Sequence, residues 1–169
     1  MPSLVEIVLK AAAVGVGGTI VLDVWAFLLQ RLFNVSGTNW TMVGRWIGNM
    51  PKGQFVQKSM PAATPVPGET TIGWTAHYLI GIGYGVLLVG LWGAEWLINP
   101  TIFPPMILVV CLLVLPFFIM MPGMGMGMAG SKTPKPNVAR LKSVVGHSVF
   151  GLGLYGAALL IAAAPNPIA

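Results

Sequence analysis

Four long apolar stretches limit what this chain can fold into. They lie at about residues 5–30, 73–98, 103–121 and 143–164, and each is long enough to cross a hydrocarbon core of roughly 30 Å as an α-helix. Only 8% of the residues are charged, against about 25% in an ordinary soluble domain. This composition excludes a soluble globular protein and a disordered one. The sequence therefore predicts an all-α integral membrane protein, with residues 1–169 forming one transmembrane domain.

The connections between these stretches differ in length and composition. The second connection, at residues 98–105, is short and rich in proline, which is typical of a tight turn between antiparallel helices. The first and third connections are longer and polar. In the first stretch Glu6 stands where a signal peptide would be basic, and Asp23 interrupts the apolar run, so we interpret this stretch as a membrane helix. The predicted fold is a four-helix bundle built from two hairpins.

The basic residues indicate the orientation of the chain. Eight of the nine lie on the two long connections, whereas the opposite side carries Lys10 with Glu6 and Glu95. By the positive-inside rule the long connections face the cytoplasm and both termini lie outside. The net charge of +5 then reflects topology, and we expect no nucleic-acid partner. The eight are Arg31, Arg45, Lys52, Lys58, Lys132, Lys135, Arg140 and Lys142.

The first long connection contains a predicted amphipathic helix at about residues 39–50. Apolar residues recur there at helical spacing, and Thr38 or Asn39 is a suitable N-cap. One interpretation is an interfacial helix that lies flat on the membrane, with Trp40 and Trp46 at headgroup depth. The other interpretation is a lid over an opening between the transmembrane helices. The apolar positions are Trp40, Val43, Trp46, Ile47 and Met50.

The second and fourth stretches resemble each other. Each has a histidine, three residues and then Gly-x-Gly: His77 precedes Gly81-x-Gly83, and His147 precedes Gly151-x-Gly153. Glycines allow transmembrane backbones to approach closely. The repetition predicts that the two hairpins are repeats in parallel orientation.

Three ionisable residues are expected at similar depth in the cytoplasmic leaflet: Asp23, His77 and His147. His147 follows Lys142 by about 8 Å of helix, and Asp23 precedes Arg31 by about 12 Å. Such groups are costly within a membrane unless they pair or face a cavity. Three roles remain open: a structural hydrogen-bond network, a proton-coupled pathway for a small molecule, and a transition metal or b-type haem held by the two imidazoles. Secondary candidates are Arg45, Glu69, Tyr84 and Tyr155.

Residues 120–128 are rich in methionine, which alternates with glycine from Gly123 onward. This invites a copper(I) hypothesis because thioether sulfur suits that ion. Methionine is also a pliable apolar filler, and the lone Cys111 lies elsewhere, so we discount copper. Pro116 and Pro122 are expected to kink or end the third helix.

Several motifs together resemble a known family. They are Gly17-Gly18-Thr19 with Asp23, Arg45-Trp46-Ile47-Gly48, Pro65-Val66-Pro67-Gly68-Glu69, Gly73-Trp74-Thr75-Ala76-His77-Tyr78, Thr133-Pro134-Lys135-Pro136, Ala139-Arg140-Leu141 and the run from His147 to Tyr155. Over nearly the whole chain the sequence resembles the bacterial membrane family known as domain of unknown function 2938, departing from its pattern at residues 124–128. The resemblance implies a four-helix protein of the bacterial inner membrane and transfers no catalytic role.

We therefore expect a non-enzymatic membrane protein that binds or moves a small molecule, with proton coupling through Asp23, His77 and His147. The alternatives are a haem- or quinone-associated electron-transfer subunit and a structural accessory subunit of a membrane complex. The expected partners are the lipid bilayer and either a second copy of the chain or a larger complex.

Overall fold

The computed structural model describes residues 3–164, and within that range the chain is helical with loops and no β-strand. Two single turns of 3₁₀-helix lie at Met50–Lys52 and Met128–Gly130, and a π-helical turn lies at Pro116–Met120. The α-helices are α1 (Leu4–Phe33), α2 (Trp40–Asn49), α3 (Glu69–Trp92), α4 (Glu95–Ile98), α5 (Phe103–Cys111), α6 (Met121–Gly123) and α7 (Pro136–Ala163).

Four segments are long and apolar enough to span a membrane: Leu4–Phe33, Glu69–Trp92, Phe103–Gly123 and Pro136–Ala163. Their outward faces carry large apolar side chains in contact with no protein core; Leu4 and Leu160 are each 76% exposed. Surfaces this apolar are expected to face lipid. The prediction of a membrane protein with four spanning helices therefore agrees with the fold.

Helix α1 packs against both α3 and α7. Its contact with α3 is close because glycines on both helices bring backbones together: a methyl group on Gly15 would overlap the Gly81 carbonyl, and one on Gly85 would overlap the Ala11 carbonyl. The Gly81-x-x-x-Gly85 spacing thus acts as a helix-packing motif. On the other side of α1, Gly18 lies against Leu154 of α7.

The helix boundaries differ from the sequence-based ones in two places. We expected the second helix at residues 73–98, but α3 begins at Glu69 and ends at Trp92, because Gly93 takes a positive φ of 84°. The four-residue α4 follows. The fourth helix, expected from residue 143, begins at Pro136, where the fixed φ of proline suits the first turn of a helix.

The third spanning segment is not a continuous α-helix. It is interrupted by a turn at residues 112–113, resumes at residues 114–115 and continues as a π-helical turn over Pro116–Met120, because proline has no N–H for the helical ladder. Pro122 lies in the last helical turn, which ends at Gly123. The prediction that these two prolines kink or end the helix is confirmed.

Both long connections lie at the same end of the bundle and touch each other. The Gln57 N–H donates to the Gly123 carbonyl at 2.8 Å, and the Lys142 ammonium donates to the Ser36 carbonyl at 3.1 Å. Apart from the main core between the spanning helices, a second apolar cluster fills the space between the two connections. Its buried members are Val43, Trp46, Met60, Ala63 and Met124, and the partly buried residues around these are Trp40, Met42, Ile47, Met50, Met120 and Met126.

The structure bears on two expectations for these connections: the position of Trp46 and the role of the methionines. Trp46 is buried in the second cluster, and its indole N–H donates to the Phe55 carbonyl at 2.8 Å. Its predicted place among lipid headgroups is therefore wrong. The methionines at 120, 124 and 126 pack in the same cluster, as expected for apolar fillers. Gly125 and Gly127 take positive φ values of 80° and 72°, which explains the alternating glycines.

The aligned glycines of α3 and α7 have different neighbours. Gly81 meets Thr19 of α1, whereas its counterpart Gly151 meets Met106 and Val109 of α5. A Cβ on Gly83 would meet nothing within 4 Å, whereas one on Gly153 would meet Gly18 and Val21 of α1. The internal repeat stays a prediction.

Candidate functional site

A carboxylate on α1 and two side chains of α3 form the candidate site. The imidazole Nε2 of His77 lies 2.8 Å from Oδ1 of Asp23, and the Tyr78 hydroxyl donates to Oδ2 at 3.0 Å. Each carboxylate oxygen therefore has its own partner. The His77 side chain is 6% exposed and that of Asp23 is 24% exposed, so the pair lies at the edge of the protein interior with the carboxylate nearer its surface.

Aromatic rings surround the imidazole. The Trp40 ring stacks on His77 with a centroid separation of 3.9 Å and an interplanar angle of 22°, and Trp74 approaches edge-on at 5.7 Å. The stack therefore covers one face of the imidazole ring.

Trp40 reaches His77 because α2 crosses α3 at a pair of glycines. A methyl group on Gly44 would overlap the Glu69 carbonyl, and one on Gly73 would overlap the Trp40 carbonyl. The residue before the helix, Asn39, is its N-cap: its side chain accepts from the Met42 N–H at 3.1 Å, so Asn39, one of the two predicted caps, is confirmed. The first residue of α2 is thus held over the Asp23–His77 pair.

An ion pair holds the same crossing on its other side. The Arg45 guanidinium donates through Nε and Nη2 to the two carboxylate oxygens of Glu69 at 2.8 and 2.7 Å. Glu69 also accepts from the Val66 N–H at 3.1 Å. The neighbouring carboxylate raises the pKa of the Arg45 guanidinium. Two secondary candidates are therefore joined, and they fasten α2 to the start of α3.

His147 lies on a part of α7 that passes close to α1: a Cβ on the preceding Gly146 would lie 3.9 Å from Leu22, the neighbour of Asp23. The expected common depth of His147 and the pair stays a prediction. The Nδ1 atom of His147 lies 2.8 Å from the Ser143 carbonyl of its own helix. Among residues 3–164 the structure joins Asp23 to His77 and records no hydrogen bond from either to His147.

The tyrosine candidates lie apart from this site. Tyr84 is buried in the main core, edge-on to Phe150 with ring centroids 5.1 Å apart, and Tyr155 is half-buried in α7. Sequence reasoning missed Tyr78 and Trp74 as site residues. Tyr78 is next to His77 on the same helix, and this neighbourhood was a usable sequence signal. No sequence signal indicated the fold of the connection that brings Trp40 to His77.

The geometry does not favour haem ligation by both histidines. Such a site needs two imidazole nitrogens facing one iron, but Nε2 of His77 is engaged by Asp23 and one face of its ring is covered by Trp40. Within the described part of the chain, no group of three or more His, Cys, Asp and Glu side chains is placed to hold a metal ion. The arrangement joins two ionisable side chains of neighbouring helices by one hydrogen bond.

Comparison with known families gives one match. Residues 12–161 match the model of the family described as "Protein of unknown function (DUF2938)". The chain belongs to this family, and the resemblance seen in the sequence is confirmed. No curated protein and no solved structure matches the chain.

Proposed function

We propose that this protein is a non-enzymatic membrane protein that binds or moves a small molecule, and that proton uptake and release at Asp23 and His77 is coupled to that step. The observation that carries the proposal is the 2.8 Å contact between Nε2 of His77 and Oδ1 of Asp23. Ionisable residues within membrane helices most often mark substrate or proton pathways.

Protonation of this pair changes the contact between two helices. A neutral imidazole that donates to a carboxylate already forms a charge-assisted hydrogen bond, and protonation of the imidazole adds the attraction between two opposite charges. A proton gained by His77 therefore tightens α1 against α3, and a proton gained by Asp23 weakens the same contact. Proton binding and helix position are coupled through one bond.

Helix α2 supplies a lid for the pair. Its first residue, Trp40, covers one face of His77, and its Arg45 is anchored to Glu69. A shift of α2 would uncover the imidazole and admit a ligand. This geometry supports the lid interpretation of α2 over that of a passive interfacial anchor.

We further propose the bacterial inner membrane as the location, with the long connections cytoplasmic and both termini periplasmic. The basic residues support this orientation, because eight of nine lie at the end that carries α2. The site would then open toward the cytoplasm. His147 is proposed as an auxiliary proton acceptor at the same depth, and a second copy of the chain as a partner.

The test is a small-molecule screen by thermal unfolding of the purified protein in mild detergent, repeated between about pH 5 and pH 8, where histidine ordinarily titrates. The wild type is expected to be stabilised by a compound to an extent that depends on pH. Asp23→Asn should remove that dependence, and Tyr84→Phe, outside the site, should retain it. If a compound stabilises Asp23→Asn with the same pH dependence as it stabilises the wild type, the proposed proton coupling is overturned. If the screen yields no ligand and Asp23→Asn lowers the thermal stability, the Asp23–His77 pair has a structural role instead.

A further inference from the structure

The two long connections form a cavity that is open to the outside and separate from the Asp23–His77 site. It has a volume of about 490 Å³ and lies between residues 56–58 and residues 122–132. Sites for small ligands typically have volumes of about 300–1,000 Å³. The bond from the Gln57 N–H to the Gly123 carbonyl ties the two walls together, so the cavity depends on contact between distant parts of the chain.

The cavity is positively charged and rich in hydrogen-bond donors. Lys58, Lys132, Gln57 and Ser131 are among the residues that line it, and the side-chain amide of Gln57 also donates to the Gln54 carbonyl at 3.2 Å. No acidic residue lines it. Within residues 3–164 the carboxylates of Glu6, Asp23 and Glu69 are bonded to Lys10, His77 and Arg45 respectively, and Glu95 lies on α4, in the short connection at the other end of the bundle.

Glycine keeps part of the wall open. A methyl group on Gly127 would overlap the Ser131 hydroxyl and would lie 3.1 Å from the Lys132 amide nitrogen. The absence of a side chain there leaves the Ser131 hydroxyl uncovered, whereas the Lys132 amide N–H donates to the Met126 carbonyl at 2.8 Å. At the rim, Val56 and Met128 are 72% and 65% exposed, so apolar surface adjoins the basic cavity.

We infer that the cavity formed by Gln57, Lys58, Gly127, Ser131 and Lys132 binds a phosphate group. Two ammonium groups, an amide and a hydroxyl complement the charge and the acceptor oxygens of a phosphate. The phosphate can belong to an anionic phospholipid, whose acyl chains would follow the apolar rim, or to a soluble phosphate compound. Lys58 and Lys132, whose positions in the sequence predict the orientation of the chain, thus have a second role.

The test measures binding of short-chain phosphatidylglycerol, glycerol phosphate and inorganic phosphate to the full chain in a neutral detergent, with phosphatidylcholine for comparison. A neutral detergent removes the general attraction of lysines to a charged membrane surface. Replacing both lysines in Lys58→Gln/Lys132→Gln should weaken phosphatidylglycerol binding roughly 30-fold. The matched control is Lys52→Gln/Lys135→Gln, which removes two exposed lysines that do not line the cavity and should retain wild-type affinity.

A second variant, Ser131→Leu, fills the cavity without changing its charge and should also abolish binding, with its fold checked by thermal unfolding. Preference for phosphatidylglycerol over the two soluble probes would identify a lipid as the source of the phosphate, and the reverse preference a soluble compound. The inference is overturned if no probe binds, if both double variants lose affinity equally, or if folded Ser131→Leu binds as the wild type does.

Discussion

Asp23 and His77 are 54 residues apart in the sequence, and their side chains meet across α1 and α3 at 2.8 Å. The hydrogen bond lies near the glycine-mediated crossing of the same helices, where Gly15 and Gly81 bring the backbones together. Close backbone packing and a buried polar bond thus act at one interface. A helix pair held in this way tolerates little change in register, so the position of the carboxylate is well defined.

Replacing His77 by alanine should destabilise the protein. The change leaves the partly buried Asp23 carboxylate with only the Tyr78 hydroxyl, and stranding such a partner costs about 1–3 kcal/mol of the free energy of unfolding. Denaturant unfolding in mild detergent measures the loss. His147→Ala is the control and should cost less, because the lost bond runs to a carbonyl of its own helix. Equal losses in the two variants would contradict the special role of the Asp23 contact.

A methyl group at the crossing of α2 and α3 should separate the two helices. Gly73→Ala forces the Trp40 backbone away, and overpacking of this kind typically costs about 1–3 kcal/mol. Tryptophan emission should shift to longer wavelength as the Trp40 ring leaves His77. The control is Gly83→Ala, since a Cβ there meets nothing within 4 Å. It should leave the emission unchanged and is expected to add up to about 1 kcal/mol of stability through helix propensity.

Much of the fold follows from the sequence because a membrane limits the choice of structure. Every backbone polar group in the hydrocarbon region must be bonded within the chain, so long apolar stretches become helices. The break at Pro116 followed from its missing N–H. The early start of α7 at Pro136 could not be predicted in the same way, because its first two turns carry polar residues of the kind typical of a loop.

The candidate site was predictable only in part. Asp23 and His77 were recognisable because ionisable residues are rare within membrane helices. Whether His147 joins the pair depends on which face of α7 turns toward α1. A common depth of the three residues does not determine that face. The stack of Trp40 on His77 depends on how α2 folds back over α3, which is set by tertiary contacts at Gly44 and Gly73.

Reversing either charge of the Arg45–Glu69 pair should loosen α2. Arg45→Glu or Glu69→Arg alone places like charges together and should lower the melting temperature in detergent. The double variant restores opposite charges, so it should recover part of the loss. Full recovery is not expected, because the bonds from Arg45 to the Met60 carbonyl and from Val66 to Glu69 depend on the native arrangement. The exposed pair of Glu6 and Lys10 is the control, and Lys10→Glu should have little effect. Failure of the double variant to improve on both single ones would contradict direct pairing.

The proposed orientation can be tested with single cysteines in a Cys111→Ala background. Ser59 and Asn99 are both exposed and lie in connections at opposite ends of the bundle. Ser59→Cys should resist a membrane-impermeant thiol reagent in intact cells and react after permeabilisation, because its connection carries basic residues that favour the cytoplasm. Asn99→Cys should react in intact cells. The opposite pattern would reverse the orientation and place the Asp23–His77 site and its lid on the outer side of the membrane. Labelling of both positions in intact cells would contradict the four-span topology itself, because the single span α3 lies between them and must place the two connections on opposite sides of the membrane.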